Sequence, residues 1–295
     1  MKPRWLAGLL SACVLAGSAS LSHAQTLVLT GNGNGQTLYA LTGANELLQF
    51  NANRPARILR RVAVGGLQLG EELLCIDFRP ANGMMYGVGS SNRVYVINPN
   101  TGAAQAVGAQ PFAPGLIGSE LGCDVNPVVD RLRVVSNAGQ NLRLNMDTGM
   151  VVDGNPNVDG VQTDGPLAYN ATDPNAGIQP VVAEVAYTNN DNNPATGTEL
   201  FDIDRRLDVL AKQDPPNAGT LNTRGSLRVD AITELAGFDI SPAGVGYAAL
   251  IIQGRSVNPQ GLSRLAVIDL TSGRVSDRGV IGTSTPIRGL AAPAP

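Results

Sequence analysis

The feature that most limits what this chain can fold into is a phrase that returns along it. Leu74-Cys75-Ile76-Asp77-Phe78-Arg79-Pro80 reappears as Leu121-Gly122-Cys123-Asp124-Val125-Asn126-Pro127, and again as Ala236-Gly237-Phe238-Asp239-Ile240-Ser241-Pro242. Each copy opens a unit of short apolar runs separated by Gly, Asn and Pro. In residues 73–108 the pattern predicts a first strand through Asp77, a turn at Asn82-Gly83, strands over Met84–Val88 and Arg93–Ile97, and a turn at 98–102 leading into Ala103–Val107. The same order follows the second copy, with the turn Asn145-Met146-Asp147-Thr148-Gly149, and the third, with Leu270-Thr271-Ser272-Gly273. Four short antiparallel strands per unit, at a period of roughly 40–50 residues, is the signature of a β-propeller blade.

The expected fold is therefore all-β, a single propeller closed into one ring. Five blades are counted. The stretch from Val151 to Leu235 is almost twice as long as its neighbours, so six blades are the alternative. The first unit has strands at Thr37–Leu41 and Glu46–Phe50 but no Asp-Pro phrase, and Ile287-Arg288-Gly289-Leu290-Ala291 resembles the start of one. The C-terminal strand is thus expected to complete the first blade and remove the exposed edges, with Leu27–Thr30 as its rival for that place.

Residues 1–24 read as a secretory signal peptide: Lys2 and Arg4, an apolar run from Trp5 to Gly17, and Ser22-His23-Ala24 before Gln25. A lipoprotein box ending at Cys13 is the minor alternative. Removal leaves residues 25–295 as one domain without Trp or His, with 19 basic and 24 acidic residues and a formal charge of −5. The expected location is the periplasm or the extracellular space. No basic patch for nucleic acid and no membrane span are expected.

Several phrases together, CIDFRPANGMMYGV, NRVYVINPNTGAAQAVG, GCDVNPVVDRLRVVSNAGQNLRLNMDTG, VVAEVAYTNN and AGFDISPAGVGYAAL, resemble the bacterial family catalogued as domain of unknown function 4394, grouped with β-propellers. The resemblance runs from about Thr37 to Leu290. It implies the propeller fold and carries no catalytic residues. Where it expects Gly and Phe before the repeated Asp, this chain has Cys75 and Cys123.

Without His there is no Ser-His-Asp triad, no Cys-His pair and no His metal ligand. Lys212 lies in no S-x-x-K phrase, and the glycine-rich run at 31–35 precedes a strand and so is no phosphate loop. No cofactor is expected, calcium being the one candidate. The reading is a noncatalytic binding or scaffolding protein for a polar small molecule, peptide or protein. The competing reading is a carboxylate- or calcium-dependent hydrolase or lyase at one end of the channel. Acidic side chains from different blades meeting in a concave site would favour the enzyme.

The surplus loops, 153–165 and 188–197, are the expected ligand site, centred on Asp153, Asn155, Asn157, Asp159 and Asp164, with Asp153, Asn155 and Asp159 as candidate calcium ligands. Asp77, Asp124, Asp239 and Arg288 are expected at repeated positions near the channel. There the three Asp either gather as a cation-binding cluster or, as preferred, bond to the turns ending at Pro80, Pro127 and Pro242. Arg131, Arg133 and Arg143 are expected to pair with nearby carboxylates such as Asp124 and Asp130, an anionic ligand being the alternative. No disulfide is expected: Cys75 lies two places before its Asp and Cys123 one place before, which puts them on opposite faces of neighbouring first strands.

Overall fold

The computed structural model describes Met1 and residues 35–191, 193–229, 232–252 and 261–293. The segment read as a leader, apart from Met1, together with Cys13, Leu27–Thr30 and most of the glycine-rich run, lies outside the described residues.

Five sheets account for the described strands. Blade I is β4 (Leu73–Arg79), β5 (Met84–Gly89), β6 (Arg93–Ile97) and β7 (Ala104–Ala106). Blade II has β8 (Leu121–Asn126), β9 (Arg131–Ser136) and β10 (Asn141–Leu144), its fourth strand reduced to a bridge between Leu144 and Val151. Blade III is β12 (Val182–Tyr187), β13 (Leu200–Asp204), β14 (Val209–Gln213) and β15 (Thr220–Ser226). To its outer edge the short β11 (Ala168–Tyr169) adds in parallel. The long 151–235 segment therefore makes one enlarged blade and not two. Blade IV is β16 (Ile232–Ile240), β17 (Gly246–Ile252), β18 (Arg264–Ile268) and β19 (Val275–Val280). Blade V joins β20 (Ile287–Ala291) to β1 (Thr37–Thr42), β2 (Glu46–Asn51) and β3 (Arg54–Ala63). The C-terminal strand thus supplies the innermost strand of the blade begun at the other end of the fold, as expected, with Leu41 opposite Gly289.

The turns are built as their sequences dictate. Asn98 Oδ1 accepts the amides of Asn100 and Thr101, and Gly102 completes the turn at φ 75°, a conformation that costs a side-chain-bearing residue. Asn145 and Asp269 do the same in blades II and IV.

The core lies between blades. Five apolar clusters fill five interfaces: Cys75, Tyr86 and Val88 of blade I face Cys123, Val125 and Leu132 of blade II. Val135 meets Val182 and Val185 between blades II and III, and Phe201 and Ile203 meet Phe238 and Leu250 between III and IV. Ala249 and Leu265 pack on Leu38 and Phe50 between IV and V, and Leu41 and Leu47 on Ile76 and Met85 between V and I. Strand alternation sends successive residues to the two neighbouring interfaces, so both faces of each sheet are buried and the strands read as nearly continuous apolar runs.

The inner strands form a closed circuit, β4 to β8, β12, β16, β20 and back to β4. They approach so closely that a Cβ built on Gly122 would lie 2.4 Å from the Ala183 carbonyl oxygen and 2.6 Å from Glu184 Cα, both backbone atoms of the next blade. Gly122→Ala is expected to cost about 3 kcal/mol, because the clash can be relieved only by moving a strand. A urea-melt midpoint unchanged from the wild type would contradict this.

Cys75 and Cys123 are joined in a disulfide, with Cα atoms 5.8 Å apart. This overturns the expectation of free thiols. The two residues do occupy opposite faces of their strands, but in a ring the forward face of one blade meets the backward face of the next. Residues of opposite parity on neighbouring inner strands are the ones that meet.

Candidate functional site at the channel

Each inner strand hydrogen-bonds outward to the second strand of its blade and turns its other edge toward the axis, where its amides need partners from elsewhere. The repeated Asp supplies them. Asp77 Oδ2 accepts the amide of Val125 on β8 at 2.7 Å, while its Oδ1 takes the amide of Phe78. Asp124 accepts the amide of Tyr187 on β12, and Asp239 Oδ2 that of Ala292, which follows β20. The preferred local role, a bond to the turn at the proline, is corrected: the carboxylates bond mainly across blades, each to the residue one place beyond the equivalent of the Asp itself.

Blades III and V carry Ala186 and Ala291 where the Asp would stand, and other side chains close those junctions. Glu184 accepts the amides of Phe238 and Gly237 on β16. Arg288 donates to Glu72 at 2.9 Å and to the Leu73 carbonyl at 3.3 Å, tying β20 to β4. Every inter-blade junction of the ring thus has a polar tie near the axis. Glu184 is not in the repeated phrase, and only laying VVAEVAY over the copies with Asp shows an acid two places before the matching position.

Asp77, Asp124 and Asp239 also converge, with one oxygen of each within 4.8 Å of the others. All three are buried. Burial raises the pKa of Asp77 well above the carboxylate range, and the charge of Asp239 adds to this. Burial does the same for Asp124, helped by repulsion from Asp77 and Asp239. Asp239 is raised by burial to about 7 against the opposing amides of Ala292 and Ile240. Three acceptor-only oxygens gathered in a low-dielectric centre are stabilised either by shared protons or by a hard cation, for which carboxylate oxygens are the preferred ligands.

Where the inner strands begin opens a cavity of about 430 Å³. Its wall takes Leu74 from blade I, Ser119, Glu120 and Leu121 from the entry to blade II, Glu184 from blade III, and Gly43, Ala44 and residues 285–288 from blade V. Glu120 Oε1 is held by Arg205 at 2.8 Å, but its Oε2 is buried without a partner among the described residues. Burial raises the pKa of Glu184 well above its usual value; the Phe238 amide opposes this and the charge of Glu120 adds to it. Acidic side chains of two blades therefore meet in a concave site. Neither was singled out in the sequence, since Glu120 precedes the recurring phrase and Glu184 lies in a blade that lacks it.

The loop residues fall elsewhere. Asp153 Oδ1 accepts the amides of Asn155 and Gln162, and Asn155 Oδ1 that of Asn157, so this exposed loop is knit by its own side chains. Asp159 contributes its carbonyl to Gln162. Among the described residues, the only group of three or more acids, cysteines or histidines close enough to share a metal is the axial one. Asp164 leaves the loop for the interior, where it pairs with Arg133 and takes two bonds of 2.8 Å from Arg143. Arg133 and Arg143 thus pair with Asp164 and not, as expected, with Asp124, while Arg131 bonds the Asp130 carbonyl and the Asp130 carboxylate goes to Arg79.

Residues 46–291 match the family described as Domain of unknown function (DUF4394). The chain belongs to this family. No curated protein matches the DUF4394 chain. Among solved structures it is similar to a structural genomics protein of unknown function from Bacteroides thetaiotaomicron, at 18% identity and TM-score 0.46, covering 82% of this chain and 57% of that one. The DUF4394 chain spans little more than half the length of that structure. A protein of unknown function from Bacteroides caccae aligns at 11% identity and TM-score 0.42, over 88% of this chain and 99% of that one. The nidogen/laminin complex aligns at 12% and 0.45, over 87% and 98%. No helix among the described residues is long and apolar enough to cross a membrane.

Proposed function

We propose that this DUF4394 protein is exported and acts as a noncatalytic binding protein whose ligand enters the cavity where the inner strands begin. The observation that carries the reading is Glu120, whose Oε2 is a buried acceptor with no partner among the described residues, beside Glu184 in the wall of a cavity of about 430 Å³. An orphaned buried acceptor costs about 1–3 kcal/mol, which a donor on a ligand recovers. The ligand is a polar molecule bearing an ammonium or guanidinium group, or a divalent cation. Export is supported by the leader and by the Cys75–Cys123 bond, which persists in oxidising compartments.

One observation favours an enzyme as the second reading. Glu184 holds its proton more tightly than usual and shares the cavity with Glu120, the division of labour found in acid–base hydrolysis.

Calorimetric titration with arginine amide and with calcium chloride separates these readings. Saturable binding of either probe, weakened at least tenfold in Glu120→Gln, is expected. Absence of saturable binding by both overturns the ligand assignment. Turnover of chromogenic esters or glycosides that disappears in Glu184→Gln moves the assignment to the enzyme. Calcium binding kept in Glu120→Gln but lost in Asp153→Ala/Asp159→Ala places the cation in the 153–165 loop.

A further inference from the structure

At the other end of β8 and β12 lies a second cavity, of about 370 Å³, within the size range of small-molecule sites. Arg131, Arg133 and Arg143 line it together with Asn126, Asn217 and Tyr187, and no acidic side chain stands in its wall.

The hydrogen-bond inventory of these groups is one-sided. Asn217 Oδ1 accepts Arg133 Nη2 at 2.7 Å, and Asn126 Oδ1 accepts the amides of Val128 and Val129 at 2.9 and 3.1 Å. All these partners can only donate, so both amides are fixed with their oxygens turned to protein donors and their NH₂ groups left to give. The Tyr187 hydroxyl accepts from Arg133 Nε at 3.4 Å and keeps its own proton to donate. Arg143 uses Nε and Nη2 on Asp164, leaving Nη1 without a partner among the described residues. Arg131 makes its one side-chain bond to the Asp130 carbonyl.

Charge points the same way. One carboxylate, Asp164, serves both Arg133 and Arg143. Asp202, the other acid near Arg133, is pushed by burial toward its neutral form. Asp130, next to Arg131 in the chain, and Asp147, on which the Arg131 charge acts, are both engaged by Arg79. The wall therefore holds surplus positive charge and surplus donors around a space with no acceptor to match them.

We infer that this cavity is an anion site for a small molecule carrying a phosphate or carboxylate group, bound by Arg131, Arg143 and the donor groups of Asn126, Asn217 and Tyr187. Planar guanidinium forks suit the paired oxygens of both groups. The site is separate from the acidic cavity, and the inference stands whichever reading of that cavity holds.

Inorganic phosphate and citrate are the probes, titrated by calorimetry and by thermal melt against sodium chloride of equal ionic strength. Saturable binding of at least one is expected, weakened about tenfold in Arg131→Gln, a half-buried residue that makes no ion pair of its own, with the ligand-free melting temperature little changed. Tyr187→Phe, which keeps the packed ring, is expected to weaken the same probe without affecting the titration of the acidic cavity. Preference for phosphate over citrate, or the reverse, identifies the class of ligand. No saturable binding of either probe at about 10 mM, or affinity unaltered in both variants, overturns the inference.

Discussion

In a chelator-containing buffer, stability toward urea is expected to fall as the pH rises from about 4 to about 7. Asp77, Asp124 and Asp239 all have raised pKa values in the fold, Asp239 to about 7, chiefly through burial. A carboxyl with a raised pKa binds its proton more tightly folded than unfolded. Below the ordinary Asp value near 4, both states are protonated and nothing is lost. Between that value and about 7 the folded state carries more protons, so each step up in pH favours unfolding. For Asp239 alone the loss across the window is on the order of 4 kcal/mol. Glu184 and Asp202, also raised by burial, act with the same sign.

Asp239→Asn keeps an oxygen for the Ala292 amide and removes the charge, so it is expected to flatten this dependence and to exceed the wild type in stability at pH 8. A wild-type midpoint that stays level or rises between pH 5 and 7.5 would sink the account. The same variant tells protons from metal. If calcium or magnesium restores the wild type at pH 8 but not Asp239→Asn, the three carboxylates hold a cation; if neither protein responds, they share protons.

The second large effect lies at the disulfide. Cys75 and Cys123 are 48 residues apart in sequence, and closing a loop of that length restricts the unfolded chain by about 4 kcal/mol in the chain-entropy description. Cys75→Ala/Cys123→Ala is expected to lower the melting temperature by roughly 10 °C for a domain of this size. The unfolded, unreduced protein should show no reactive thiol at either position. A peptide map in which Cys75 and Cys123 are separately alkylated without reductant would disprove the bond.

Much of the architecture was legible from local pattern alone. The Asp-Pro phrases and the Asn/Asp-to-Gly turns mark blade boundaries because their chemistry is short-range: a side-chain oxygen bonding amides two and three residues on, and a glycine at positive φ. The blade count, the family and the closure by residues 287–291 follow from repetition of such signals. The reach of β11 and the shrinking of blade II to three strands did not, because pairing of two-residue segments depends on what lies beside them in space.

The site was far less legible, for one physical reason. Everything near the axis is decided by which face of one blade meets which face of the next, and that relation joins residues about 50 positions apart or more. Strand alternation correctly placed Cys75 and Cys123 on opposite faces, yet only the ring shows that opposite faces are the ones in contact. The same relation sends Asp77 to Val125 and brings Glu120 and Glu184 to one cavity. The sequence by itself determined the repeating unit, because a blade is made by neighbours in the chain. The tertiary structure alone decided the channel chemistry, because its charges, ties and cavities exist only where successive blades touch.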